Sequence, residues 1–96
     1  MNTSEINNII IQCLLQYQPQ KIGIFGSYSR SENTENSDID ILVKFKNSIS
    51  LLQLLKIENS ISEKIHIKVD LVTEGAITNQ IIKNSIERDI KIIYNE

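Results

Sequence analysis

Three aspartates lie in apolar, strand-like surroundings: Asp38 and Asp40 within Ser37-Asp38-Ile39-Asp40-Ile41-Leu42-Val43, and Asp70 within Ile67-Lys68-Val69-Asp70-Leu71-Val72. Side chains alternate faces along a strand. Asp38 and Asp40 therefore project the same way, with alpha carbons roughly 6.6 Å apart, while Ile39 and Ile41 enter the core. Two carboxylates roughly 6 Å apart repel by on the order of 2 to 3 kcal/mol at an effective dielectric of about 20, and a cation removes that repulsion. Oxygen-only donors favour a hard divalent ion, magnesium above all. A structural reading stands beside this one, because aspartates at strand starts also cap loops and bind exposed backbone amides. That reading covers Asp38 well. It covers Asp40 and Asp70 poorly, since an unpaired carboxylate among Ile, Leu and Val carries a desolvation penalty of several kcal/mol, as an order of magnitude.

Gly26-Ser27 is the other half of a candidate site. A glycine directly after a strand lets backbone amides approach an anion, and Ser27 adds a hydroxyl. The dipeptide alone marks many ordinary turns; its weight comes from the carboxylates that follow, with Asp38 eleven positions after Ser27. Arg30 is suited both to phosphate and to a neighbouring carboxylate. No Gly-x-x-x-x-Gly-Lys occurs, which argues against a P-loop ATPase or kinase. With one histidine, His66, and one cysteine, Cys13, neither a zinc cluster nor a Ser-His-Asp set can be assembled. His66 reads as a surface or capping residue at a helix-to-strand junction, and Cys13 as a buried thiol. Tyr28 either stacks on a base or packs.

These residues need elements to hold them. Ile6, Ile9, Ile10, Cys13, Leu14 and Tyr17 recur at helical spacing and predict a helix over about 4–16, stopped by Pro19. A strand over about 21–25 runs into Gly26-Ser27, a short helical turn over 28–31 follows, and the polar stretch 32–37 forms a loop. The second strand spans about 39–45. Ser50-Leu51-Leu52-Gln53 is a capping-box pattern that opens a helix reaching about Ile65, with Leu51, Leu54, Leu55, Glu58, Ile61 and Ile65 inward. A third strand over about 68–73 carries Asp70, a helix covers about 78–87, and a short strand covers about 90–94. Alternating helices and strands predict an α/β (α+β) domain, a mixed sheet of about four strands with helices packed on it, spanning residues 1–96 as one unit.

Composition narrows the functional classes. Hydrophobic residues are 41% and charged residues 23%, which favours a folded domain over a disordered one. The formal charge of -2 and pI near 5.4 make a poor footprint for a long nucleic-acid backbone but suit a single nucleotide with its metal. No signal-like segment opens the chain and no apolar run approaches the roughly 20 residues that span a bilayer, so a cytoplasmic protein without a membrane role is expected.

Gly26-Ser27-Tyr28-Ser29-Arg30-Ser31, Ser37-Asp38-Ile39-Asp40 and the later Asp70 resemble the minimal nucleotidyltransferases of the DNA polymerase beta superfamily. The family pattern is Gly-Ser-x-Ala-Arg-Gly, then Ser-Asp-x-Asp on a strand and a third strand-borne carboxylate. Element order agrees over essentially the whole chain. Ser29 and Ser31 depart from the usual alanine and glycine, which is expected to loosen the turn after Arg30. The resemblance implies a nucleotidyltransferase (polymerase beta palm-like) fold. It also implies catalytic, metal-binding roles for Asp38, Asp40 and Asp70 toward two magnesium ions, and nucleotide binding by Gly26, Ser27 and Arg30, with ATP as substrate. Chains of this size are similar to the antitoxin half of toxin-antitoxin modules whose partner is a HEPN-type toxin. The implied reaction moves AMP from ATP onto a toxin tyrosine. Two alternatives stand beside it: an antitoxin that neutralises by binding alone, and transfer to a small hydroxylated compound, which the shortness of the chain disfavours.

Overall fold

The computed structural model describes residues 1–30, 34 and 36–96. Helix α1 spans Thr3–Leu15, capped by the Asn2 side chain, which accepts from the Glu5 N–H at 2.9 Å. Strand β1 spans Pro19–Phe25, and a 3-10 turn over Gly26–Tyr28 follows it directly. Next come β2 (Ile39–Phe45), α2 (Leu51–Ile65), β3 (Val69–Thr73), a second 3-10 turn (Glu74–Ala76), α3 (Gln80–Asp89) and β4 (Lys91–Asn95). Pro19 opens β1 instead of merely ending the helix, since a strand's first residue tolerates a missing N–H. The helical turn expected at 28–31 begins two residues earlier, at Gly26 itself; Ser31 and half of the expected 32–37 loop lie outside the described residues.

The sheet order is β3-β2-β1-β4. β1 runs antiparallel to β2 and β4, while β2 and β3 are parallel across the α2 crossover. The mixed four-stranded α+β architecture read from the sequence is the one observed. Ile22, Ile24, Ile39, Ile41, Val43, Val69 and Leu71 share one sheet face and form the core with Ile10, Cys13 and Leu14 of α1 and Ile57, Ile61 and Ile65 of α2. The opposite face carries Gly23, Asp40, Leu42 and Asp70 by strand alternation. There Leu42 and Ile86 of α3 form a smaller buried contact.

α2 has the expected capping box, with Ser50 and Gln53 bonding reciprocally, and Leu54, Ile61 and Ile65 of its expected inward face meet the core. Ile57 is buried as well, whereas Leu51 and Leu55 are exposed. Glu58, expected inward, and Ser62 serve the neighbouring strand. The Leu71 N–H donates to Glu58 Oε2 at 2.8 Å and the Val69 N–H to Ser62 Oγ at 3.0 Å, so α2 satisfies the outer amides of edge strand β3. His66 is the left-handed C-cap of α2, and Cys13 is buried, as read.

Candidate active site

Asp40 and Asp70 are direct partners in the parallel register of β2 and β3. On β1, Phe25 stands opposite Asp40 and runs into Gly26. The strand-borne carboxylates and the Gly-Ser corner, distant in sequence, therefore meet at one end of the sheet. Asp38 lies just ahead of β2, with Oδ2 3.9 Å from the Lys68 ammonium.

Burial is uneven across the trio: Asp40 is half-buried and Asp70 exposed. Desolvation raises the Asp40 pKa above its ordinary value; the charges of Asp70 and then Asp38, and a hydrogen bond with the Asp70 carboxyl, push the same way, while Arg30 opposes them. A hydrogen bond between two carboxyls requires a proton on one of them. Among the described residues, no three His, Cys, Asp or Glu side chains are gathered tightly enough to form a ready-made metal cluster. The carboxylates converge as a pair, Asp40 and Asp70, with Asp38 beside them. In kind the donors fit magnesium: all are hard oxygens, and the repulsion that raises the Asp40 pKa is what a divalent ion would relieve.

Gly26 is required by space as well as by conformation. Its φ of +74 lies in the left-handed region, and a Cβ there would collide with Asp40 Oδ2 and come within 3.2 Å of Cγ. The glycine thus lets the corner backbone close over the Asp40 carboxyl. Its carbonyl accepts from the Ser29 N–H at 3.1 Å, the Ser29 hydroxyl at 2.8 Å and the Arg30 N–H at 3.3 Å. Ser29 is 4% exposed. The Ser29 hydroxyl thus ties back to the carbonyl that the turn already uses, while the turn after Arg30, where loosening was expected, starts outside the described residues. Ser27 is half-buried within the turn, and Tyr28 packs against the core.

Arg30 donates from Nη1 to Asp89 Oδ2 at 2.9 Å. Asp89, the last residue of α3, escaped sequence reasoning because it lies 59 positions from its partner. Its one sequence signal is an acid at a helix C-terminus, where the macrodipole disfavours it. Two clefts, of 620 and 420 Å³, lie elsewhere: one around Lys44, Lys46 and Lys83, the other around Ile24, Tyr28 and Ile39. None of the three aspartates lines either cleft. Of the three, Asp70 is the exposed one, accessible to a large acceptor.

Paired strand carboxylates beside a glycine corner on a mixed sheet define a domain built for phosphoryl or nucleotidyl transfer. The chain belongs to the nucleotidyltransferase domain family, whose pattern it matches over residues 7–93. It is 51% identical over 75 residues to the "Putative protein adenylyltransferase MJ0126" of Methanocaldococcus jannaschii, covering 78% of this chain and 76% of that protein. It is 36% identical over 75 residues to the protein adenylyltransferase MntA of Thermococcus cleftensis, covering 78% and 73%. A crystal structure of a toxin-antitoxin with AMP-PNP superposes with a TM-score of 0.84 at 25% identity, covering 94% of this chain and 73% of that one. Membership in the minimal nucleotidyltransferase group and its fold, expected from the sequence, is borne out.

Proposed function

We propose that the chain is the antitoxin of a toxin-antitoxin pair and moves AMP from ATP, with magnesium, onto a tyrosine hydroxyl of a HEPN-type toxin. The observation that carries this reading is the side-by-side placement of Asp40 and Asp70 next to Gly26. The names of the relatives, protein adenylyltransferases and a toxin-antitoxin with AMP-PNP, support the donor, the acceptor class and the partner. Open exposure of Asp70 also suits a folded protein as acceptor.

In the proposed reaction the acceptor oxygen bonds to the α-phosphorus of ATP as the bond to pyrophosphate breaks, and the hydroxyl proton leaves. Asp38, Asp40 and Asp70 would hold magnesium, two ions by family resemblance, which when bound neutralise the triphosphate and activate the hydroxyl. Asp70, the most open of the three, faces the incoming acceptor. Gly26 and Ser27 seat the β and γ phosphates, and Arg30 adds positive charge beside them.

Incubation of the purified pair with ATP and magnesium is expected to add one or more AMP units to the toxin, detected by intact mass. Asp38→Asn with Asp40→Asn should lower the rate by at least about a hundredfold. A toxin that gains no AMP from active wild-type protein contradicts the proposal. If the double variant neutralises the toxin as well as wild type does, binding alone accounts for the antitoxin effect.

A further inference from the structure

We infer that Asp89 is a positioning residue of the nucleotide site: it holds the Arg30 guanidinium beside the Gly26-Ser27 corner and Asp40. The inference rests on the proposed nucleotidyl transfer and extends it to the junction of α3 and β4, which lies outside the Gly-Ser and Asp-x-Asp motifs.

Four observations converge on this junction. First, Asp89 ends α3, where the helix dipole disfavours a negative charge, so the carboxylate needs a cation beside it. The Arg30 guanidinium supplies one, at 2.9 Å from Oδ2, and the more distant Arg88 Nε lies 3.6 Å from Oδ1. Second, Asp89 is the recessed member of the pair, 15% exposed against 43% for Arg30, so the carboxylate is the anchor and the guanidinium the group held.

Third, the junction lies against the sheet at Gly23. Gly23 of β1 has no side chain because Ile90 fills the space: a Cβ at Gly23 would stand 2.6 Å from Ile90 Cγ1 and 3.3 Å from Ile92 Cδ1. Fourth, Arg30 is tied to the corner by its backbone and to Asp40 by the charge of its side chain. Its N–H bonds the Gly26 carbonyl at 3.3 Å, and its charge acts on Asp40. The chain of contacts therefore runs Gly23, Ile90, Asp89, Arg30, Gly26, from the middle of β1 to the phosphate corner.

An ion pair this exposed contributes little to folding stability. Its consequence is the direction in which the guanidinium points. Held by Asp89, Arg30 meets an incoming triphosphate without first losing the rotamer freedom of a long side chain.

The test is calorimetric titration of the full chain with a non-hydrolysable ATP analogue and magnesium. Asp89→Asn and Arg30→Gln should each weaken affinity by on the order of tenfold, the worth of one charge-assisted hydrogen bond. The double variant should bind no more weakly than Arg30→Gln alone, because Asp89 acts only through Arg30. Asp89→Glu should restore most of the affinity, and Arg88→Gln should leave it unchanged. Asp89→Asn binding as tightly as wild type overturns the inference, as does a double variant whose loss is the product of the two single losses. A fall in binding stoichiometry at unchanged affinity also overturns it, since that marks a purely structural role. Wild-type protein that binds no analogue overturns the proposed function and this inference with it.

Discussion

Asp40 carries the sharpest electrostatic consequence of any single residue. Burial first, then the carboxylates of Asp70 and Asp38, raise its pKa above the ordinary 3.8. A raised aspartate binds its proton more readily in the folded chain than in the unfolded one. Stability therefore declines as pH rises from 3.8 through the raised value, and the ionised group remains a penalty above it. Asp40→Asn is accordingly expected to melt at a higher temperature than wild type at neutral pH in the presence of chelator. The gap should close below pH 3.8, followed by circular dichroism across the pH range. A gap that does not depend on pH contradicts the assignment. The feature was legible because a carboxylate among Ile and Val needs a reason in any fold. Asp89 was not, because its partner lies 59 positions away and an acid at a helix C-terminus does not by itself name the cation it meets.

The elements were legible to different degrees, for reasons that α2 and Gly23 make plain. The capping box set the start of α2 at Leu51, and the strand that carries Asp40 read correctly at both ends from its apolar density. The inward face of α2 read correctly at Leu54, Glu58, Ile61 and Ile65 but not at Leu51 and Leu55, which are exposed, nor at Ile57, which is buried; that Glu58 and Ser62 serve the edge amides of β3 is a demand that hydrophobic spacing cannot register. Gly23 has no side chain to register in any spacing pattern, yet it is the seat of Ile90. Gly23→Ala should therefore destabilise the chain by about 1–3 kcal/mol, the usual penalty of overpacking. Gly75→Ala, with nothing within 4 Å of the added carbon, should be neutral or stabilise by up to about 1 kcal/mol. Urea unfolding of the two variants checks the contrast, and similar losses in both would count against the seat.

For the molecule as a whole, the division between buried and exposed apolar residues separates what holds the fold from what remains open. All the sheet's core-facing residues meet α1 and α2, and Ile61, at 0% exposure, sits among them. Leu51 and Leu52 open the same helix yet stand 72% and 64% exposed. Both stand outside the core that α2 builds with the sheet. A buried isoleucine truncated to alanine loses transfer energy and leaves a cavity, so Ile61→Ala is expected to lower stability by about 2–5 kcal/mol. Leu51→Ser with Leu52→Ser gives up little burial and should change stability by no more than about 0.5 kcal/mol per site. Denaturant midpoints of the free chain measure both. Comparable losses would contradict the placement of Leu51 and Leu52 outside the core.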